Sequence, residues 1–166
     1  AGLGGDLLAG ALRGAGAVAS GRQPVPRLPA HRACIPARAA APGRQVLVKN
    51  GVYRTGAVTA NGSSRVGLTN AVVLRSVNGP DVTTIEGASG DQPTRCVYVG
   101  NGSALSGFTL TNGRAAGASW YPKNLGGGVY CEPLGVVTNC VISGNSAAAG
   151  GGGAYGGTLS SSTLTG

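Results

Sequence analysis

Three stretches near the end of the chain share one pattern of apolar and polar positions. Leu105-Ser-Gly-Phe-Thr-Leu-Thr-Asn112 returns as Val137-Thr-Asn-Cys-Val-Ile-Ser-Gly144 and again as Leu159-Ser-Ser-Ser-Thr-Leu-Thr-Gly166. In the middle copy Cys140 and Ile142 have one parity and Val137 the other. A straight strand alternates its side chains between two faces, so it cannot bury all three together. A bend at the third place removes the conflict and leaves two short strands per copy. That place holds Gly107, Asn139 and Ser161. Glycine and asparagine enter the left-handed region most readily and suit a corner, whereas serine suits it less well.

A second motif precedes these copies. Gly126-Gly-Gly-Val-Tyr130 returns as Gly151-Gly-Gly-Ala-Tyr155, with an earlier echo in Val97-Tyr98. The tyrosines form a column with steps of 32 residues (98 to 130) and 25 residues (130 to 155). Self-similarity at roughly 20–50 residues marks stacked repeats, each too short to bury a core without its neighbours. The segments are short, β-branched and bounded by Gly, Asn and Ser, with no helical period. Short strands with corners, stacked like on like, make a parallel β-helix. The fold class is therefore all-β, and residues 45–166 are its rungs. The inward ladders are Leu105/Val137/Leu159, Phe108/Cys140/Ser162 and Leu110/Ile142/Leu164. Each fully buried aliphatic side chain contributes roughly 1.5–3 kcal/mol, so the ladders hold the stack together.

The Gly-Gly-Gly-Val-Tyr motif followed by Val-Thr-Asn-Cys-Val-Ile-Ser-Gly-Asn-Ser-Ala resembles right-handed parallel β-helix repeat proteins of bacterial secreted and surface type. It is also similar to the Gly-Gly-Ala-Ile repeats of chlamydial polymorphic outer-membrane proteins, although the Phe-x-x-Asn that accompanies them there is absent here. The resemblance spans about residues 45–166. It implies a right-handed coil, a secreted or cell-surface location and a structural or adhesive role. Gln45-Val-Leu-Val-Lys-Asn-Gly-Val-Tyr-Arg54 looks like the entry strand of such coils, and Val77-Asn-Gly-Pro-Asp81 before Thr83-Thr-Ile-Glu-Gly87 looks like one of their turns. An open strand edge after Gly166 would be unusual, so further rungs or a cap are expected beyond it.

Residues 1–44 are a different kind of sequence. Pro24, Pro26, Pro29, Pro36 and Pro42 forbid a long helix or a central strand there. Leu7 to Ala19 has the apolar character of a signal-peptide core, but Arg13 interrupts it and Asp6 stands where positive charge belongs. Gly14-Ala-Gly-Ala-Val-Ala19 matches a dinucleotide fingerprint without the preceding strand or the later acidic residue that the mechanism needs. The segment reads as a poorly ordered lead, foreign to the β-helix pattern.

Composition adds constraints. Thirty-two glycines with a single Phe and a single Trp exclude an ordinary globular core. The formal charge is +8, but Arg13, Arg22, Arg27, Arg32, Arg38 and Arg44 against Asp6 place +5 of it in the lead. The rest is spread without interleaved aromatics, which argues against nucleic acid. No run is long and apolar enough to span a bilayer. Cys34, Cys96, Cys131 and Cys140 lack zinc-site spacing. Cys140 falls on an inward ladder as a buried free thiol, and Cys96 and Cys131 are placed to approach each other across rungs.

The candidate site comes from an insertion. Leu110 to Val129 is 19 residues and Ile142 to Ala154 is 12, so seven extra residues fall within 112–125. Insertions in repeat proteins map to surface loops on one face, often the binding face. Arg114, Trp120, Tyr121 and Lys123 lie in this one. An exposed aromatic pair beside two cations suits a sugar ring or an acidic polysaccharide, pointing to a polysaccharide or cell-surface glycan as partner; the competing reading is a loop folded back to cover the coil with Trp120. The rival reading is a polysaccharide lyase or pectinesterase-like enzyme with its catalytic rungs largely beyond this chain. Such sites need clustered carboxylates, and past Arg44 only Asp81, Glu86, Asp91 and Glu132 are present. The best residual group is Asp91, Arg95, Lys123 and Glu132. His31 and Ser89 complete no nucleophilic triad. No catalytic residue, metal ligand or cofactor is assigned.

Overall fold

The corner demanded by the apolar pattern is where the rungs take shape. Gly107 has φ 82°, Asn139 φ 50° and Ser161 φ 47°, all in the left-handed region. Each stands between two three-residue strands. The computed structural model describes residues 41–117 and 122–166, and among them every regular element is a β-strand. The lead to residue 40, with Cys34 and His31, lies outside the described residues.

In chain order the strands are β1 (Gln45–Val48), β2 (Gly51–Tyr53), β3 (Val58–Thr59) and β4 (Ser63–Leu68), then β5 (Val73–Ser76), β6 (Thr83–Glu86) and β7 (Arg95–Val99). The next round is β8 (Ala104–Ser106), β9 (Thr109–Thr111), β10 (Arg114–Ala115) and β11 (Val129–Cys131). It is followed by β12 (Val136–Thr138), β13 (Val141–Ser143), β14 (Ser146–Ala147) and β15 (Ala154–Tyr155), and finally β16 (Thr158–Ser160) and β17 (Thr163–Thr165). The chain deals these strands into three sheets in a fixed rotation. The first sheet runs β1-β5-β8-β12-β16, the second β2-β6-β9-β13-β17, and the third β3-β4-β7-β11-β15, with a small β10-β14 pair beside them. Pairing between rounds is parallel; among the described strands only β3 and β4 pair antiparallel, and Ala88 and Thr94 form an isolated antiparallel bridge.

The register stacks like on like. Leu105 lies opposite Val137 and Val137 opposite Leu159, while Leu110 lies opposite Ile142 and Ile142 opposite Leu164. Leu74 extends the first ladder and Ile85 the second, although no sequence repeat announces either. Phe108 and Cys140 are buried as expected. Ser162 makes its place in that ladder polar: its hydroxyl donates to the Ser160 carbonyl and accepts the Cys140 N–H at 3.2 Å. One interior polar side chain is fully used. Asn145 donates to the carbonyls of Leu110 and Ser143 and accepts the Gly113 N–H, joining two rounds at a corner.

The glycine triplets follow from the closeness of the rounds. The amides of Gly126, Gly127 and Gly128 donate to the carbonyls of Gly150, Gly151 and Gly152. A Cβ at Gly127 would strike the Ser146 and Gly152 carbonyl oxygens. One sequence expectation is corrected and another is sharpened. Cys131 lies opposite Val99, three residues past Cys96, so these thiols do not face each other, and Cys96, Cys131 and Cys140 are free. The insertion is narrower than 112–125, because Ala115 pairs with Ala147 and Leu125 bridges Gly150, leaving the extra residues between 115 and 125.

Candidate functional site

Strand alternation puts Tyr98 on the face opposite its core-facing neighbours Val97 and Val99, and so onto the outside of the third sheet. Across that sheet Gly67, Tyr98, Tyr130 and Tyr155 lie in one row. The Tyr98 and Tyr130 rings stack at 5.8 Å and 8°, and those of Tyr130 and Tyr155 at 5.5 Å and 20°. With Leu125 and Ala60 they form a small apolar cluster separate from the core.

The row begins at a glycine because another element lies there. Strands β3 and β4 form a hairpin that turns at Asn61 (φ 47°) and Gly62 (φ 113°), and it folds Val58 and Ala60 over Gly67. Asn-Gly is the strongest short-range hairpin signal. Asn61-Gly62 carries that signal in the sequence.

Arg95 ties this hairpin to the end of the insertion. The residue is 1% exposed. Its Nη1 donates to the carbonyls of Asn61 (2.9 Å) and Ala60 (3.5 Å), its Nη2 to those of Pro122 (3.3 Å) and Lys123 (3.2 Å), and its Cζ sits 5.4 Å from the Tyr130 ring centroid. Nε has no partner. Burial pulls the guanidinium down from its usual pKa, and Tyr130 and Tyr98 oppose that shift. The arrangement is a buried cation compensated by carbonyl dipoles and an aromatic face.

Glu132, just past β11, closes the other side. Its carboxylate accepts the Tyr98 hydroxyl at 2.9 Å and the Asn61 amide at 3.3 Å, and that amide also reaches the Tyr98 oxygen at 3.2 Å. Burial, reinforced by Glu132, pushes the Tyr98 phenol up to about 12, so it stays a proton donor at neutral pH. Beside this network opens a cleft of about 430 Å³ lined by Thr59, Ala60, Asn61, Thr69, Asn70 and Tyr98.

No family model matches this chain, and no curated protein or solved structure matches it either. The site is therefore read from its geometry. Of the residues singled out in the sequence, Arg114 is exposed on β10 beside Ser146, and Lys123 is exposed while its carbonyl holds Arg95. Trp120 and Tyr121 lie outside the described residues. From the residual polar group, Arg95 and Glu132 meet the hairpin tip and Lys123 joins them through its carbonyl on Arg95, whereas Asp91 sits in the exposed bend before β7. Among the described residues no three His, Cys, Asp or Glu side chains gather to hold a metal ion, and no helix is long and apolar enough to cross a membrane.

Asn61 and the Tyr98–Glu132 bond were not legible as a site. Their partners lie 37 and 71 residues away from Asn61, a separation that no repeat period marks.

Proposed function

We propose that these rungs belong to a right-handed parallel β-helix that serves as a structural or adhesive scaffold of a secreted or cell-surface bacterial protein, with a polysaccharide or surface glycan as its partner. Support for the coil is the fixed rotation through three sheets in parallel register. Support for its hand is general: parallel crossover connections are right-handed in about 98% of cases.

The observation that carries the adhesive role is the placement of the irregular features. The interior is filled and repetitive, whereas the hairpin and the end of the insertion meet on the outer face of the third sheet, held by Arg95. A scaffold that binds would differ from a bare spacer in this way. The test is binding and turnover on an array of acidic and neutral polysaccharides, with and without Ca²⁺, using the chain and Trp120→Ala. Binding without turnover supports the adhesive scaffold. Calcium-dependent cleavage would replace it with the lyase reading. Silence in both assays would leave only the structural role.

A further inference from the structure

We propose that the cleft between the β3–β4 hairpin and Tyr98 is a binding site for a neutral, hydroxyl-rich ligand, a short saccharide, recognised by Asn61 and Tyr98, which Glu132 holds in place from behind. The inference rests on the adhesive reading and deepens it by naming a ligand class and a site apart from Arg114 and Trp120.

The volume, about 430 Å³, falls within the roughly 300–1,000 Å³ of small-ligand sites. The lining then narrows the chemistry. Of its six residues only Ala60 is purely apolar, so it offers no pocket for an apolar side chain or acyl chain. Hydroxyls and amides make up the rest, groups that can both give and accept hydrogen bonds. A ligand that matches them must do the same many times over, as the hydroxyls of a sugar do.

Charge narrows it again. Behind the wall stand one carboxylate and one guanidinium, both attached to the hairpin tip. Glu132 reaches the side chain of Asn61, and Arg95 reaches its carbonyl. Glu132 disfavours an anion, and the buried Arg95 charge disfavours a cation. A neutral ligand meets neither penalty.

The site is also held ready. Asn61 adopts φ 47° at the turn, its carbonyl is held by Arg95, and its amide is held by Glu132 and Tyr98. Little rotamer freedom remains to be lost on binding, which is how preorganisation favours affinity. Arg95 acts here as a positioning residue.

The experiment is isothermal titration of the full chain with maltose, cellobiose, lactose and mannobiose, with digalacturonate as the anionic probe and a glucosamine disaccharide as the cationic one. At least one neutral disaccharide is expected to bind saturably, with both charged probes at least about tenfold weaker. Glu132→Gln, which weakens the charged hydrogen bonds that hold Asn61 and Tyr98, should weaken that binding by about tenfold and narrow the gap to digalacturonate. Asn61→Gly keeps a residue suited to the positive φ and should weaken binding similarly. Circular dichroism and denaturation of each variant separate lost binding from lost fold. The inference is overturned if no neutral disaccharide binds, if a charged probe is preferred, or if both folded variants bind as the parent does. Neutral binding that survives both variants but is lost in Trp120→Ala would sink this site and leave the adhesive reading intact.

Discussion

The interior between the three sheets and the outer face of the third sheet are built from the same strands under different rules. Inside, a side chain meets its equivalents from the rounds before and after, as Val137 meets Leu105 and Leu159. A residue that differs in size or polarity disturbs two neighbours at once, so the pattern must repeat. Outside, the tyrosine row repeats, but Gly67, Arg95, Asn61 and Glu132 each occur once around it. The outer face is under no obligation to match from round to round. One-off residues there are where a repeat protein can carry chemistry.

The sharpest way to break this contrast is to put a charge into one column at two depths. Ile142→Asp, buried between rounds, should cost about 4 kcal/mol or more and unfold the stacked sheets around it in urea. Leu164→Asp, next in that column but 51% exposed, should change stability by about 0.5 kcal/mol or less. Equal costs would mean that the ladder is not the source of stability.

Alkali should separate inside from outside. Burial pushes Cys96 up to about 12 and Cys131 up to about 11, raises Cys140, and with Glu132 pushes Tyr98 up to about 12. In the unfolded chain thiols ionise near about 8.5 and phenols near about 10. Between those values and the raised ones the folded chain holds more protons, so stability falls as pH rises. The fall should begin near pH 9 from the interior thiols and gain a second component above pH 10 from Tyr98. Cys96→Ala should flatten the first part in pH-dependent denaturation and Tyr98→Phe the second. A stability flat from pH 8 to 11 would contradict both.

A smaller loss belongs to the outer face. Arg95→Ala strips donors from the carbonyls of Asn61, Pro122 and Lys123 and should cost about 1–3 kcal/mol. Near-ultraviolet dichroism should change with it as the tyrosine stack loses its cation, while the far-ultraviolet spectrum stays that of the parent. Collapse of both would mean that the two faces do not fold as separable layers.

The least effect is expected at the corners. Gly107→Ala meets a positive φ and drives its Cβ to 2.5 Å from the Ser76 hydroxyl, costing about 1–2 kcal/mol. Asn139→Gly suits the same column and should stay within about 0.5 kcal/mol of the parent. Thermal denaturation of the pair checks this, and a reversed order would remove the conformational account of the corner.

Much of the parallel stacking of the later strands could be read directly from the residues. The parity conflict between Val137 and Ile142 demanded a corner, and Gly107 and Asn139 were suited to it. The column of Tyr98, Tyr130 and Tyr155 set the register. Ser161 was the poor candidate, yet it takes φ 47° like the others. Parallel pairing of β12 with β16 and of β13 with β17 on either side of it holds the backbone there, so tertiary pairing overrides the local preference.

By itself, then, the sequence determined the later rounds: their period, their corners and the columns in which their side chains stack, while Leu74 and Ile85 of the earlier rounds joined those columns unannounced. Period, corner and column depend on local spacing and on repetition, which a linear pattern displays. Only the tertiary structure decided the outer face. Asn61 meets Glu132 across 71 positions, and Arg95 gathers carbonyls from a hairpin tip and from the end of an insertion. Those contacts obey no period, because they arise where separate rounds happen to lie side by side in space, and no spacing along the chain records that neighbourhood.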